Sequence, residues 1–385
     1  MGYITNKTIN CLNIHAALLS LVEQACLMFG PIYIYTIGFS LPEVFLLYGG
    51  LNVARIPFRF LSFPTVRLIG LKGALMLGTT GFCLSFPLLP MVKGYDIWLA
   101  LYVIMFGIFS AMYWHCYHCF YSLAGEAEHR GKHLSVAVGL STAVSAVAPW
   151  LGTMLISYSG FGAYFLLPLP ILLVMLFFLS RCQNIPVAKK SWKEGRKLMF
   201  NLGAKIHLAE STVYYVMSIS WVFMLYFYVE KFTTFGVILT FGIAVQVLYQ
   251  LWLGKIIDHG KGRMVAHIAG VLRVLLVLCR ALVPLNMPRV LALETLWAAS
   301  NVHHAIAQPT VMYNTGKNSG DAFWYWLFAE MAFDIGSAIG AIAAALLLFY
   351  GTPLNIVVLL ALPGVLTVWW LTYNFFDKKP KRKRN

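Results

Sequence analysis

Long apolar runs separated by short polar loops repeat along the whole chain. An α-helix needs about twenty mostly apolar residues to cross a bilayer, so each run reads as one span. The runs fall at 14–37, 41–59, 66–89, 97–123, 134–158 and 161–180. After a polar stretch they resume at 206–229, 232–253, 264–285, 290–313, 321–350 and 353–376. They number twelve and divide evenly about 181–205. A membrane β-barrel would instead show ten-residue segments of alternating hydrophobicity. The pattern predicts an all-α membrane protein with 12 transmembrane helices in two pseudo-symmetric six-helix bundles, 1–180 and 206–376. The stretch 181–205 is the linker between them and 377–385 a basic tail.

Composition agrees with this reading. Hydrophobic residues make up 60% of the chain and charged residues 11%, against about 25% charged in a soluble domain. The net charge of +15 resembles a nucleic-acid footprint only until its positions are read. Arg181, Lys189, Lys190, Lys193, Arg196, Lys197 and Lys205 crowd the central stretch against one acid, Glu194. Of the 29 Lys and Arg, 22 fall in the loops and termini of one side, with Arg59 and Arg67 at the ends of the second and third runs counted in the loop between them, 3 fall on the other side and 4 lie inside runs. Short loops rich in Lys and Arg stay on the cytoplasmic side. Both termini and the linker are therefore expected in the cytoplasm, with the chain in a bacterial plasma membrane and no nucleic-acid partner. The tail KKPKRKR suits anionic lipid. Glu23 and Gln24 interrupt the first apolar run, which argues against a removable signal. The seven cysteines lie mostly within runs and give no disulfide pattern.

Weak internal similarity links the halves. NIHAALL opens the first run and KIHLAES the seventh, while YWHCYHCF ends the fourth and NVHHAIAQP sits in the tenth. Tyr113, Trp114, His115, His118, Asn301, His303, His304 and Gln308 from these segments are the candidate substrate-binding residues. His115, His118 and Cys119 share one helical face, and imidazole with thiolate can hold a soft metal. A structural role as interfacial anchors or helix–helix hydrogen bonders is the plainer alternative. Pro149, Pro168, Pro170 and Pro309 lie within runs and are expected to kink them.

Ionisable groups inside a span are costly, so each is a functional candidate. Glu23, Glu210, Glu294, Glu330, Asp334 and Arg55 form the candidate proton-coupling set. Glu23 in a dry span could load and release a proton, or Arg55 could pair with it. Glu330 and Asp334 are four apart and share a face. They could share one proton, or each could pair with Arg273 or Lys317.

The loop after the eighth run reads GKIIDHGKGRMV, 254–265. It resembles the loop motif of the major facilitator superfamily, with the match on Gly254, Asp258 and Arg263. The segment GEAEHRGKHLS, which holds Arg130, is similar to the loop at that place in some bacterial members. The corresponding first-half loop, RFLSFPTVRLIGLKG, has no Asp. The resemblance implies a secondary transporter in which two six-helix bundles rock about a central site and carry a small solute. Gly254, Asp258, Arg263 and Arg130 would gate it, and a proton gradient would drive it. The expected state is a monomer in the lipid bilayer, with no cofactor. Alternatives are a transition-metal or metal-chelate carrier, and a non-transporting sensor or lipid-handling protein on the same fold. The sequence contains no GxxxxGK[ST], GxSxG or HExxH, so enzyme activity is not expected.

Overall fold

The computed structural model describes residues 6–125, 130–187, 191–257 and 262–377, and the regular structure among them is all helical. The first half holds α1 Lys7–Thr36, α2 Leu41–Phe58, α3 Ser62–Ser85, α4 Ile97–Ala124, α5 Arg130–Ser145, α6 Ala148–Tyr164 and α7 Pro168–Ser180. A short α8, Trp192–Gly195, lies in the linker. The second half holds α9 Leu202–Tyr228, α10 Phe232–Ile257, α11 Gly262–Leu282, α12 Met287–Asn318, α13 Ala322–Phe349, α14 Leu354–Val357 and α15 Leu362–Asp377.

Asn and Asp fix where several long helices begin. The first amides of a helix have no partner within it, and a short polar side chain supplies one. Asn6, Asp96, Asn201, Asn286 and Asp321 do this for α1, α4, α9, α12 and α13, each accepting from the amide three residues on. Gly70 and Gly160, both at φ +75°, break the helical path inside α3 and α6. Only a residue without Cβ takes that conformation at no cost. The second run thus continues through a 3-10 turn, Arg59–Leu61, as far as Gly70. The predicted loop between the second and third runs is mostly helix. The fifth run is interrupted between Ser145 and Ala148. Pro149 and Pro168 fall at the starts of α6 and α7, where no helical amide bond is lost. They start helices instead of kinking them. Pro309 does lie inside α12.

Among the described residues nine stretches are long and apolar enough to cross a membrane. One of them, Leu41–Met91, contains two predicted runs. The sixth run, as Pro168–Ser180, is short, and α12 is too polar to qualify by composition. The outward faces carry large apolar side chains such as Leu173, Phe177, Leu346 and Trp370. That is the inverse of a soluble protein and suits a lipid surround.

The packing repeats six runs on. The contact of α1 with α5 recurs as α9 with α13, α2 with α4 as α10 with α12, and α3 with α7 as α11 with α15. The halves meet at two seams related the same way, α2 on α13 and α6 on α10.

Candidate functional site

A cavity of ≈ 690 Å³ lies between the halves and is lined from both. Glu23, Arg55, Trp114 and His118 line it from the first half. His207, Glu210, Arg273, Arg280, Glu294 and Glu330 line it from the second. Charges in a low-dielectric interior persist only when paired and hydrogen-bonded, and three ionic groups do this.

The first joins α2 to α13. Arg59 is fully buried and grips Asp334 through Nε and through Nη2, the latter at 2.9 Å from Oδ1. The same Nη2 lies 3.0 Å from Glu330 Oε2, and Nη1 donates to the Ala111 carbonyl at 3.2 Å. Arg55, one turn earlier, brings Nε within 3.3 Å of Asp334 Oδ1 and donates from Nη1 to Asn52. At that Nε the contact is an ion pair without hydrogen-bond geometry. Glu330 Oε1 faces two imidazoles at 3.5 Å, His118 Nε2 from α4 and His207 Nδ1 from α9. His118 is sandwiched between Trp114 and Trp326, and its Nδ1 lies 2.7 Å from the Tyr313 hydroxyl.

The second group sits within the second half. Arg273 Nη1 donates to both oxygens of Glu210 at 2.9 Å, and His304 Nε2 lies 2.9 Å from Oε1. In the third, the Trp221 indole N–H donates to Glu294, and Arg280 stacks over the Trp221 ring at 4.0 Å. Arg280 Nη2 is 3.9 Å from Glu294 Oε1. Gly242 makes room for that carboxylate, since a Cβ there would lie 2.2 Å from Glu294 Oε2.

Glu23 differs from these. Among the described residues its carboxylate makes no ion pair or hydrogen bond; the charge acting on it is that of Arg55, which leans on Asp334 instead.

The structure thus gathers Glu23, Arg55, His118, Trp114, Asn301, Glu210, Glu294 and Glu330 around one cavity. Asp334 supports it from behind. It does not bring the remaining sequence candidates there. His115 is fully buried, held between the Ser62 hydroxyl at 2.7 Å and the Phe323 carbonyl at 2.9 Å. Tyr113 packs on Phe82 and Tyr117. His303 bonds the Ala299 carbonyl, His304 turns to Glu210, and Gln308 contacts Met312 Sδ. With His115 and His118 turned to separate partners and Cys119 buried, no group of three metal-binding side chains occurs among the described residues. Arg273 pairs with Glu210 and Lys317 donates to the Gly125 carbonyl, so neither takes Glu330 or Asp334.

Of the gating candidates, Gly254 lies near the end of α10, and Arg263 stacks over Tyr373 at 4.3 Å. Asp258 and the side chain of Arg130 lie outside the described residues. Sequence reasoning missed Arg59, His207, Arg280 and Trp221. Along the chain Arg59 reads as a loop cation because it stands at the very end of the second apolar run. The signal for it was present: Arg55 and Arg59 are four apart on one face, matched in spacing to Glu330 and Asp334.

Three comparisons bear on this arrangement. The family model described as Major Facilitator Superfamily matches residues 14–323. No curated protein matches. Among solved structures, the E. coli fucose:proton symporter FucP is similar in its outward conformation, with a TM-score of 0.69 at 13% identity, covering 98% of this chain and 100% of that one. The human organic anion transporter MFSD10 gives 0.66 at 13%, covering 95% and 99%. The nucleoside transporter NupG, as a point variant, gives 0.64 at 14%, also covering 95% and 99%.

Proposed function

Because the chain belongs to the Major Facilitator Superfamily, we propose that it is a secondary transporter that moves a small solute across the bilayer by alternating access, coupled to protons. The observation that carries this reading is the charged cavity lined by both halves. A site shared by two pseudo-symmetric helix bundles can be exposed to one side and then the other as they rock. The moving bodies are 1–180 and 206–376, joined by 181–205, with both termini in the cytoplasm of a bacterial cell and the protein acting as a monomer.

The acids divide the work. Glu210, Glu294, Glu330 and Asp334 hold arginines and set the shape of the cavity. Glu23, without such a partner among the described residues, carries the proton. Coupling of this kind fits the fucose:proton symporter among the similar structures.

Reconstitution in proteoliposomes tests the reading. A panel of sugars, nucleosides, organic anions and organic cations is offered with an imposed pH gradient. At least one solute is expected to accumulate and to stop doing so on adding a protonophore. Uptake indifferent to the gradient would remove the proton, and no uptake across the panel would speak for a non-transporting role.

A further inference from the structure

The charges in and around the cavity do not cancel. Four arginines, Arg55, Arg59, Arg273 and Arg280, face five acids, Glu23, Glu210, Glu294, Glu330 and Asp334. Arg55 and Arg59 take Asp334 and Glu330, Arg273 takes Glu210, and Arg280 takes Glu294. The arginines thus leave one acid over, and among the described residues it is Glu23, whose carboxylate makes no ion pair or hydrogen bond. A carboxylate without a protein partner in a low-dielectric surround is stabilised by one positive charge from outside the protein.

We infer that Glu23 binds one positive charge at a time, either a proton or the head of an organic cation, so that the cavity exchanges an organic cation for a proton. This rests on the transport reading above and names its solute class. On exchange the Glu23 O–H bond breaks, its proton passes to water, and the carboxylate pairs with the cation. No electrons are transferred.

The walls favour an organic cation over a hydrated metal ion. Tyr48, Phe82, Phe106, Trp114, Tyr214 and Tyr215 line the same cavity. Aromatic faces attract weakly hydrated cations through the ring quadrupole, whereas an inorganic ion would need several oxygen ligands. Arg55 from α2, Cys83 from α3, Tyr113 and Tyr117 from α4, and Tyr214 and Tyr215 from α9 are the titratable groups that feel Glu23. From α5 come the hydroxyls of Ser141, Thr142 and Ser145. From α6 comes Tyr164, whose hydroxyl is spent on the Ala25 carbonyl, and α7 carries no ionisable side chain. Arg55 is thus the one cation among them, and Asp334 already holds it.

The test uses the purified full-length protein in detergent and two ions of like shape and opposite charge, tetraphenylphosphonium and tetraphenylborate. Binding is read by equilibrium dialysis against empty micelles, and proton release by an indicator dye in weak buffer. The phosphonium should bind saturably and the borate should not. Each phosphonium bound should displace about one proton, with affinity falling about tenfold per pH unit in the acid range, as reciprocal linkage requires. Glu23→Gln should abolish proton release and weaken binding at least about tenfold, while Glu23→Asp should keep both. Equal binding of the borate, phosphonium binding without proton release, or unchanged binding by Glu23→Gln would overturn the proposal. The first two readings use the unaltered protein, so they decide even where the glutamine variant does not fold. Binding is measured without a flux. A protein that binds the cation but moves nothing would overturn the transport reading and leave this site standing. One that carries neutral solutes unimpaired by Glu23→Gln would do the reverse.

Discussion

At the α2–α13 seam, Arg55 and Arg59 lie against Asp334 and Glu330, all buried. At the related seam on the other side of the molecule, where α10 meets α5 and α6, the contacts among the described side chains are neutral. There the Trp150 amide donates to the Thr240 hydroxyl at 3.2 Å, Gln246 reaches the Thr142 hydroxyl at 3.4 Å, and Gln250 reaches the Ser135 carbonyl at 3.4 Å. Gly236 lets the helices touch, since a Cβ there would lie 2.2 Å from Thr153 Oγ1 and 2.7 Å from the Pro149 carbonyl. The same packing is thus made once by ions and once by neutral contact. The two should resist opening differently. Parting the ionic seam strands charges unless water follows, whereas the neutral one can slide with small changes in hydrogen bonding.

The largest expected effect breaks the ionic side. Arg59→Met leaves Asp334 and Glu330 without their main cation and should cost about 3–5 kcal/mol, read as a lowered unfolding temperature in detergent. Adding Asp334→Asn to that variant should recover part of the loss, because the charge balance returns. An Arg59→Met protein as stable as the parent would mean that the seam is already hydrated, and the contrast with the neutral side would fall. Next, Gly236→Val should cost about 1–3 kcal/mol by overpacking. Gly50→Val, where a Cβ meets nothing within 4 Å, is its control and should avoid that overpacking loss. Equal losses at the two glycines would show that close approach at Gly236 is not what holds the neutral seam. The smallest effect belongs to Gln246→Leu, which removes the bond to Thr142 at 3.4 Å and the one accepted from Asn301 at 3.2 Å, and should cost about 1–2 kcal/mol. A loss as large as that of Arg59→Met would make the seams energetically alike.

Much of the fold could be read along the chain, because the membrane constrains one residue after another. Apolar length set the runs, and the basic linker divided the halves. Boundaries failed where a single backbone conformation decided them, as at Gly70, which extends the second run well past Arg59. The site was legible in part. Every acid of the candidate proton-coupling set lies in or behind the cavity, because a buried acid in a span has few roles other than a polar one. Their pairings were not legible. His115 and His303 have the residue type and spacing of binding groups, yet rotation about the helix axis turned each to a partner of its own.

The sequence by itself determined that the chain crosses a membrane, that its halves repeat, and which segments carry buried charge. Those are properties of composition and local order. The tertiary structure alone decided that Arg59 meets Asp334 across 275 residues of chain, and that of the acids in and behind the cavity Glu23 is the one left without an arginine among the described residues. Hydropathy is summed residue by residue, but charge neutralisation between helices depends on which helices are neighbours, and only packing brings those together.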